Sequence, residues 1–344
     1  MSDIHIRRAG RAGRITLTRA KALNALSYDM CMAMDAALKD WAADDHVALV
    51  IIDAEGDKAF CAGGDVAELY RHGLEGDFGY ARRFWRDEYR MNARLAHFPK
   101  PVVSFMQGFV MGGGVGIGCH ASHRVVEDST RIAMPECGIG LIPDVGGSML
   151  LARAPGRLGA YFGLTAARMG PGEAIHAGFA DHYLPREDWA GVIEDLELHG
   201  ILKHLTDRVL EAPPPDILVG QDVIDHLFKG DVAQIMAKLE ADPEELAQTA
   251  LKAIRRNSPI AMATTLLLLE RLADTTDIRV ALQEEFRGTS RAIEHGDFLE
   301  GVRAQLIDKD RSPRWKHQPG EVTREEAEAM LAPLGRDELT FEED

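Results

Sequence analysis

Cysteine is scarce in this sequence: Cys31, Cys61, Cys119 and Cys137 are the 4 among 344 residues. No pair has Cys-x-x-Cys spacing, which excludes a disulfide-dense scaffold, and reduced cytosolic thiols are the expected state. Positive charge is short as well, 39 Lys and Arg against 55 Asp and Glu, for a formal net charge of −16. Nucleic-acid binding meets phosphates with clustered cations, so no nucleic-acid partner is expected. A phosphate-bearing ligand would have to be held by a few basic side chains, backbone N–H groups and helix N-termini, against the overall field. No apolar run approaches the ~20 residues of a membrane-spanning helix, and no membrane partner is expected. The opening Met1-Ser2-Asp3-Ile4-His5 has no basic segment followed by an apolar one. That predicts no signal peptide and a cytoplasmic location.

Hydrophobic residues nevertheless make up 46% and charged residues 27%, the balance of an ordinary globular chain. The length admits one large domain with an appendage, or two domains. Ile4-His5-Ile6 and Arg14-Ile15-Thr16-Leu17-Thr18 alternate apolar and polar around Gly10 and Gly13, which predicts a β-hairpin. Met30, Met34, Leu38 and Trp41 then recur at helical spacing behind Ser27 as N-cap. Val47 to Ile52 is a continuous apolar run, the pattern of a strand covered on both faces. Helix is expected over much of Val66 to Phe98, broken near Gly73 to Gly79. Pro99-Lys100-Pro101 stops it ahead of a buried strand, Val102 to Met106. A strand, a Gly-rich turn and a helix are expected over Gly108 to His120, then strands over 124–127 and 131–134 and a helix opening near Gly146. Pro213-Pro214-Pro215 makes a stiff break, and the chain beyond it is almost wholly helical in pattern, with a helix from Ile260 to Leu272. The expected division is a βαβ-rich core over 1–205 and a helical module over 206–344.

Two glycine clusters stand out for chemistry. Ala62-Gly63-Gly64-Asp65 follows one strand, and Gly112-Gly113-Gly114 follows another and opens a helix. Glycine lets a backbone approach a ligand closely. N–H groups from two such turns, converging on one point, would hold a carbonyl oxygen that is gaining negative charge. Tight turns and close strand–helix contacts are the plainer reading of either cluster alone. A dinucleotide site is a poor match, because the second cluster does not follow a first strand with an acidic partner downstream. Next come two carboxylates, Glu136 and Asp144, set among apolar residues and glycines. Such surroundings can keep one carboxyl protonated while the other stays ionised. Equally, Asp144 can cap the helix near Gly146 and Glu136 can serve a salt bridge. Cys119, His120 and His123 are irregularly spaced for a metal and read as structural, so no metal is expected.

Phe60-Cys61-Ala62-Gly63-Gly64-Asp65-Val66 resembles the F-x-A-G-x-D-[ILV] signature of the crotonase (enoyl-CoA hydratase/isomerase) superfamily. Gly108 to Gly116 is similar to its second signature, and Leu17 to Leu26 to its entry segment, with Ala20 where a proline is common. Asp297 to Asp310 resembles the C-terminal motif of the 3-hydroxyisobutyryl-CoA hydrolase group. The resemblance implies an α/β fold, a crotonase-like ββα spiral core with a C-terminal helical module. It implies that the backbone N–H groups of Gly64 and Gly113 form the oxyanion hole for a thioester carbonyl. Ala62, Gly64 and Val66 are implied as the backbone lining of the adenine end of a CoA site. Lys58 is read as a phosphate contact or as a solvated lysine.

Hydratases of this superfamily place one glutamate two residues after the Gly-Gly-Gly triplet and another in the Pro-Glu position. Here the first position is Gly116 and the second is Glu136. Syn addition of water to a double bond wants two acid–base groups on one side, so ordinary hydration is not expected. Pro143 to Gly147 and Phe84 to Tyr89 resemble the hydrolase group instead. The latter implies that Glu88 meets the substrate's 3-hydroxyl, where spacing alone reads an exposed helical charge. The implied reaction is hydrolysis of 3-hydroxyisobutyryl-CoA, of valine breakdown, or of the similarly sized 3-hydroxypropionyl-CoA, with no cofactor beyond the substrate's own coenzyme A. Glu136 attacks as a nucleophile to give an acyl–enzyme anhydride, or acts as a base on water, and Asp144 manages the water or the proton. The alternatives are an enoyl-CoA isomerase or hydratase relying on Glu136 alone, and a non-catalytic acyl-CoA-binding paralogue. Superfamily members often form trimers through their C-terminal helices, which implies a homo-oligomer, although the longer module here can instead fold back on its own core.

Overall fold

The computed structural model describes residues 3–341. Its strands are β1 (Ile4–Ala9), β2 (Ala12–Leu17), β3 (Leu49–Ala54), β4 (Ala59–Cys61), β5 (Val102–Met106), β6 (Phe109–Met111), β7 (His123–Val126), β8 (Arg131–Ala133) and β9 (His182–Tyr183). The expected hairpin is β1–β2, turning at Gly10, whose φ of +57° suits glycine. Six strands form one sheet in the order β1-β2-β3-β5-β7-β9, with every pairing after the hairpin parallel. The short strands β4, β6 and β8 form a second, parallel sheet.

The apolar run expected as a doubly covered strand is β3, buried at every residue. It begins at Leu49 rather than Val47 because the Val47 N–H closes a turn onto the Asp44 carbonyl. Ala12, Leu49, Ile51, Val103, Phe105 and Val125 project from the sheet into one cluster with Trp189, Val192 and Leu196 of the helix Trp189–His199. Each fully buried Val, Leu, Ile or Phe side chain of this cluster contributes roughly 1.5–3 kcal/mol. The first six helices in chain order are α1 (Tyr28–Ala42), α2 (Val66–Leu74), α3 (Phe78–Ala96), α4 (Gly113–Gly118), α5 (Gly147–Arg153) and α6 (Leu158–Thr165). As expected, Ser27 caps α1 by accepting the Met30 N–H at 3.3 Å, and Met30, Met34, Leu38 and Trp41 are its buried stripe.

The described residues fall into two compact units that do not follow the expected cut between 205 and 206. The first comprises the chain up to Gly64, Asp87–Ala133 and Arg168–Asp216; the second comprises Asp65–Arg86, Met134–Ala167 and the chain from Ile217 onward. Both sheets lie in the first unit. The difference has a packing cause: two segments from the earlier part of the chain bury their apolar surface against C-terminal helices. Trp85 meets the Phe298 ring edge-on at 5.7 Å. Gly73 leaves room for Leu299 and Ile293, where a Cβ would come within 2.6 Å of the Leu299 side chain. The second unit is helical, as its C-terminal sequence pattern predicts. Its helix Pro259–Arg271 opens behind Ser258, whose hydroxyl accepts the Ala261 N–H and donates to Asp297 at 2.7 Å. Among the described residues no helix is long and apolar enough to cross a membrane.

Candidate active site

In the first unit the two glycine clusters come together. β4 ends at Cys61, and the chain bends through Gly63, whose φ is +116°. The bend is fastened to the entry segment: Leu26 N–H donates to Gly63 at 2.8 Å and Ala62 N–H to Leu23 at 3.0 Å. Leu23 and Asn24 are both left-handed, with φ of 53° and 55°. The Asn24 side-chain amide holds that conformation by donating to the carbonyls of Glu55 and Ala59 at 3.0 and 2.9 Å. On the other side, β6 leads through Gly112, at φ +48°, into α4.

The two readings of the second cluster divide by residue. Gly114 packs on the Cys61 backbone and Gly118 on Met106 and Phe60, so these glycines bring helix and strand close. Gly113 does something else. A Cβ there would lie 3.2 Å from Gly64 N and 3.1 Å from Glu88 Oε1. As the first residue of α4, Gly113 has an N–H with no partner within its own helix. Glu88, on α3, is only 3% exposed, so it is not the solvated helical charge that spacing alone reads. Its neighbour Asp87 faces away to accept the Tyr28 hydroxyl at 2.7 Å. Ala62 and Gly64 are half-buried, as is Val66 at the start of α2, while Lys58 is exposed in the turn between β3 and β4. Gly116 is buried within α4 and places no side chain there.

The second unit carries the carboxylates. Glu136 opens a single 3₁₀ turn, Glu136–Ile139, directly after Pro135, and is 4% exposed. Its Oε2 is buried with no hydrogen-bond partner among the described residues. Burial, then the charge of Asp144 and that of Glu285, hold the Glu136 carboxyl well above the usual carboxylate range. Asp144 is 5% exposed in the loop before α5. It is not the cap of α5, whose N-cap position is Gly146 without a side-chain bond. Its carbonyl instead accepts the Gly147 N–H at 2.7 Å. Between them Val145 has φ of 53°, an outlier for a β-branched residue.

The group serving the start of α5 comes from far along the chain. Glu285, on the helix Ile278–Ala292, accepts the N–H of Gly146 at 2.8 Å, the N–H of Ser148 at 3.2 Å and the Ser148 hydroxyl. It is wholly buried, and burial, offset by those hydrogen bonds, pushes its carboxyl up to about 8. Motif reading did not single it out, yet a signal was present. Ile278, Ala281, Leu282 and Phe286 form a buried stripe at helical spacing, and Glu285 is a charge on that stripe. Glu136 and Glu285 are thus both raised by the charge of Asp144, and Glu136 by that of Glu285 as well. Buried like charges keep some members protonated, which gives an acid and a base from similar side chains.

The thiols are poor nucleophiles, since burial pushes Cys61 and Cys137 up to about 12. Among the described residues, no three or more His, Cys, Asp or Glu side chains gather in a way that could hold a metal ion. His123 instead stacks on His182, with ring centroids 5.7 Å apart.

Known proteins share this organisation. The chain is 37% identical over 331 residues to the 3-hydroxyisobutyryl-CoA hydrolase, mitochondrial, of Danio rerio, covering 92% of this chain and 85% of that protein. A solved structure described as an enoyl-CoA hydratase from Rhodobacter sphaeroides 2.4.1 shares 57% identity at a TM-score of 0.94, over 99% of this chain and 100% of that one. Another, described as a carnitinyl-CoA dehydratase from Mycobacterium thermoresistibile, shares 41% identity at a TM-score of 0.95, over 100% of both. The family model described as enoyl-CoA hydratase/isomerase matches residues 12–331. On a match of that span the chain belongs to the enoyl-CoA hydratase/isomerase family, and its α/β fold is of the crotonase type.

Proposed function

We propose that this chain hydrolyses a short 3-hydroxyacyl-CoA thioester, with 3-hydroxyisobutyryl-CoA of valine breakdown as its leading substrate. The observation that carries the reading is where the carboxyls stand. Gly116 supplies none on α4, whereas Glu136 and Asp144 are both buried on one short segment. Hydration or dehydration wants two acid–base groups flanking a double bond. The hydratase and dehydratase descriptions of the two solved structures favour that second reading, and the empty position at Gly116 argues against it. The curated relatives named as hydrolases support the first reading.

In this reading the thioester carbonyl oxygen lies at the N–H groups of Gly64 and Gly113, which take up the negative charge of the tetrahedral state. Glu88 receives the 3-hydroxyl. Ala62, Gly64 and Val66 meet the adenine end through their backbones, Ala62 by its carbonyl because its N–H is engaged by Leu23. Lys58 meets a phosphate. Glu136, as carboxylate, attacks the carbonyl carbon; the C–S bond breaks and CoA leaves as a thiolate that takes up a proton. Water then opens the anhydride and gives its proton to Asp144, returning Glu136 as carboxylate and releasing the 3-hydroxy acid. Coenzyme A is the only cofactor this chemistry needs, and it arrives with the substrate. We place the protein in the cytoplasm, a reading supported by four cysteines that are all unbridged.

The test is a panel of CoA esters followed with a thiol reagent. 3-Hydroxyisobutyryl-CoA and 3-hydroxypropionyl-CoA should release thiol fastest, and crotonyl-CoA should keep its enoyl absorbance. Rapid hydration of crotonyl-CoA with no thiol release from either hydroxyacyl ester would overturn the proposal.

A further inference from the structure

The bend that carries Asp144 is unusual for its sequence. Val145 and Gly146 are successive left-handed residues, with φ of 53° and 79°. Val145 keeps its side chain buried in that conformation, at 1% exposure. A β-branched residue persists there only when its surroundings over-determine it. Successive amides in such a bend form a concavity that favours an anion. Here the acceptor is internal, because the Glu285 carboxyl takes the N–H groups of Gly146 and Ser148 and the Ser148 hydroxyl.

We propose that Glu285 is the positioning residue of the carboxylate pair: through Gly146 and Ser148 it holds the Val145–Gly146 bend that presents Asp144. The inference rests on the hydrolase reading of Glu136 and Asp144. Glu285 interacts electrostatically with both of them. Its chain neighbour Glu284 is committed elsewhere, paired with Arg271 and Arg287. From α3, Arg86 is engaged with the adjoining Phe286 ring, 5.2 Å from its centroid. The groups facing Glu285 are thus two acids and three hydrogen-bond donors. As pH rises toward about 8, where it ionises, Glu285 opposes ionisation of Glu136, so its loss lets Glu136 ionise at lower pH.

The experiment is Glu285→Gln in the full chain, read as kcat and KM for 3-hydroxyisobutyryl-CoA across pH. Glutamine keeps the size and one acceptor, so KM should change little. kcat should fall toward the ~10²-fold loss that a 1 Å misplacement brings. The acidic limb of log kcat against pH should move to lower pH. Ser148→Ala keeps the carboxyl and removes one donor; it should move the limb in the same direction by less, and it decides the matter if the glutamine variant does not fold. An unmoved limb, whether turnover is normal or uniformly slow, overturns the assignment. A wild type that releases no thiol overturns the hydrolase reading, and this assignment with it; a wild type that turns over beside a variant identical to it overturns this assignment alone.

Discussion

Replacing Gly113 with alanine separates folding from catalysis at a single atom. Gly113 opens α4 and is not among the residues with positive φ, so its backbone accepts alanine. In a helix interior that exchange stabilises by up to about 1 kcal/mol, and less in a first turn. The new methyl would lie 3.2 Å from Gly64 N and 3.1 Å from Glu88 Oε1. An oxyanion bound by the Gly64 N–H sits about 2.7–3.1 Å from that nitrogen, so methyl and oxygen compete for one volume. Loss of one such donor costs about 3 kcal/mol, or 10²–10³ in kcat. Thiol release from 3-hydroxyisobutyryl-CoA should therefore slow by at least about that factor, while the melting temperature should move little, because the helix gain is offset by the two tight contacts of the new methyl. Gly113→Pro deletes the N–H itself at the helical position that tolerates proline best, and should be equally slow. Wild-type turnover in either variant would show that the oxygen is held elsewhere.

Other perturbations draw on the same geometry. Glu136→Gln should abolish thiol release, whereas Asp144→Asn should be slow but give a first burst of CoA measurable by stopped flow; equal steady rates with no burst would leave Glu136 as a base on water. Glu285, held at about 8 against an ordinary 4.5, binds a proton in the folded chain that the unfolded chain has lost between those values. Stability should therefore fall as pH rises through that window, by a few kcal/mol at most, and the fall should be shallower in Glu285→Gln by calorimetry. A melting temperature that rises across the window contradicts this. Lys58→Ala should raise KM several-fold at constant kcat if it meets a CoA phosphate, and an unchanged KM would return it to a solvated role.

Much of the architecture was legible because local signals agreed with burial. The β1–β2 alternation, the Ser27 cap and the wholly apolar β3 each appear where periodicity puts them. The units were less legible, because which helix buries Trp85 or Gly73 is decided by contacts far along the chain. Glu88 shows the limit of spacing: on α3 it reads as a solvated charge, and only its burial against Gly113 separates the two readings. Asp144 shows the complement. Its place before a helix suggests a cap, but a carboxylate 139 residues beyond Gly146 does that work, and chain distance hides such a partner.

The most direct test offers one substrate two fates. 3-Hydroxyisobutyryl-CoA can lose CoA to give the free hydroxy acid, or lose water to give an unsaturated thioester. Mass analysis of the products from purified protein should find CoA and 3-hydroxyisobutyrate in equal amounts, with negligible unsaturated ester. Rapid appearance of the unsaturated ester with the thioester intact would contradict the account at its centre.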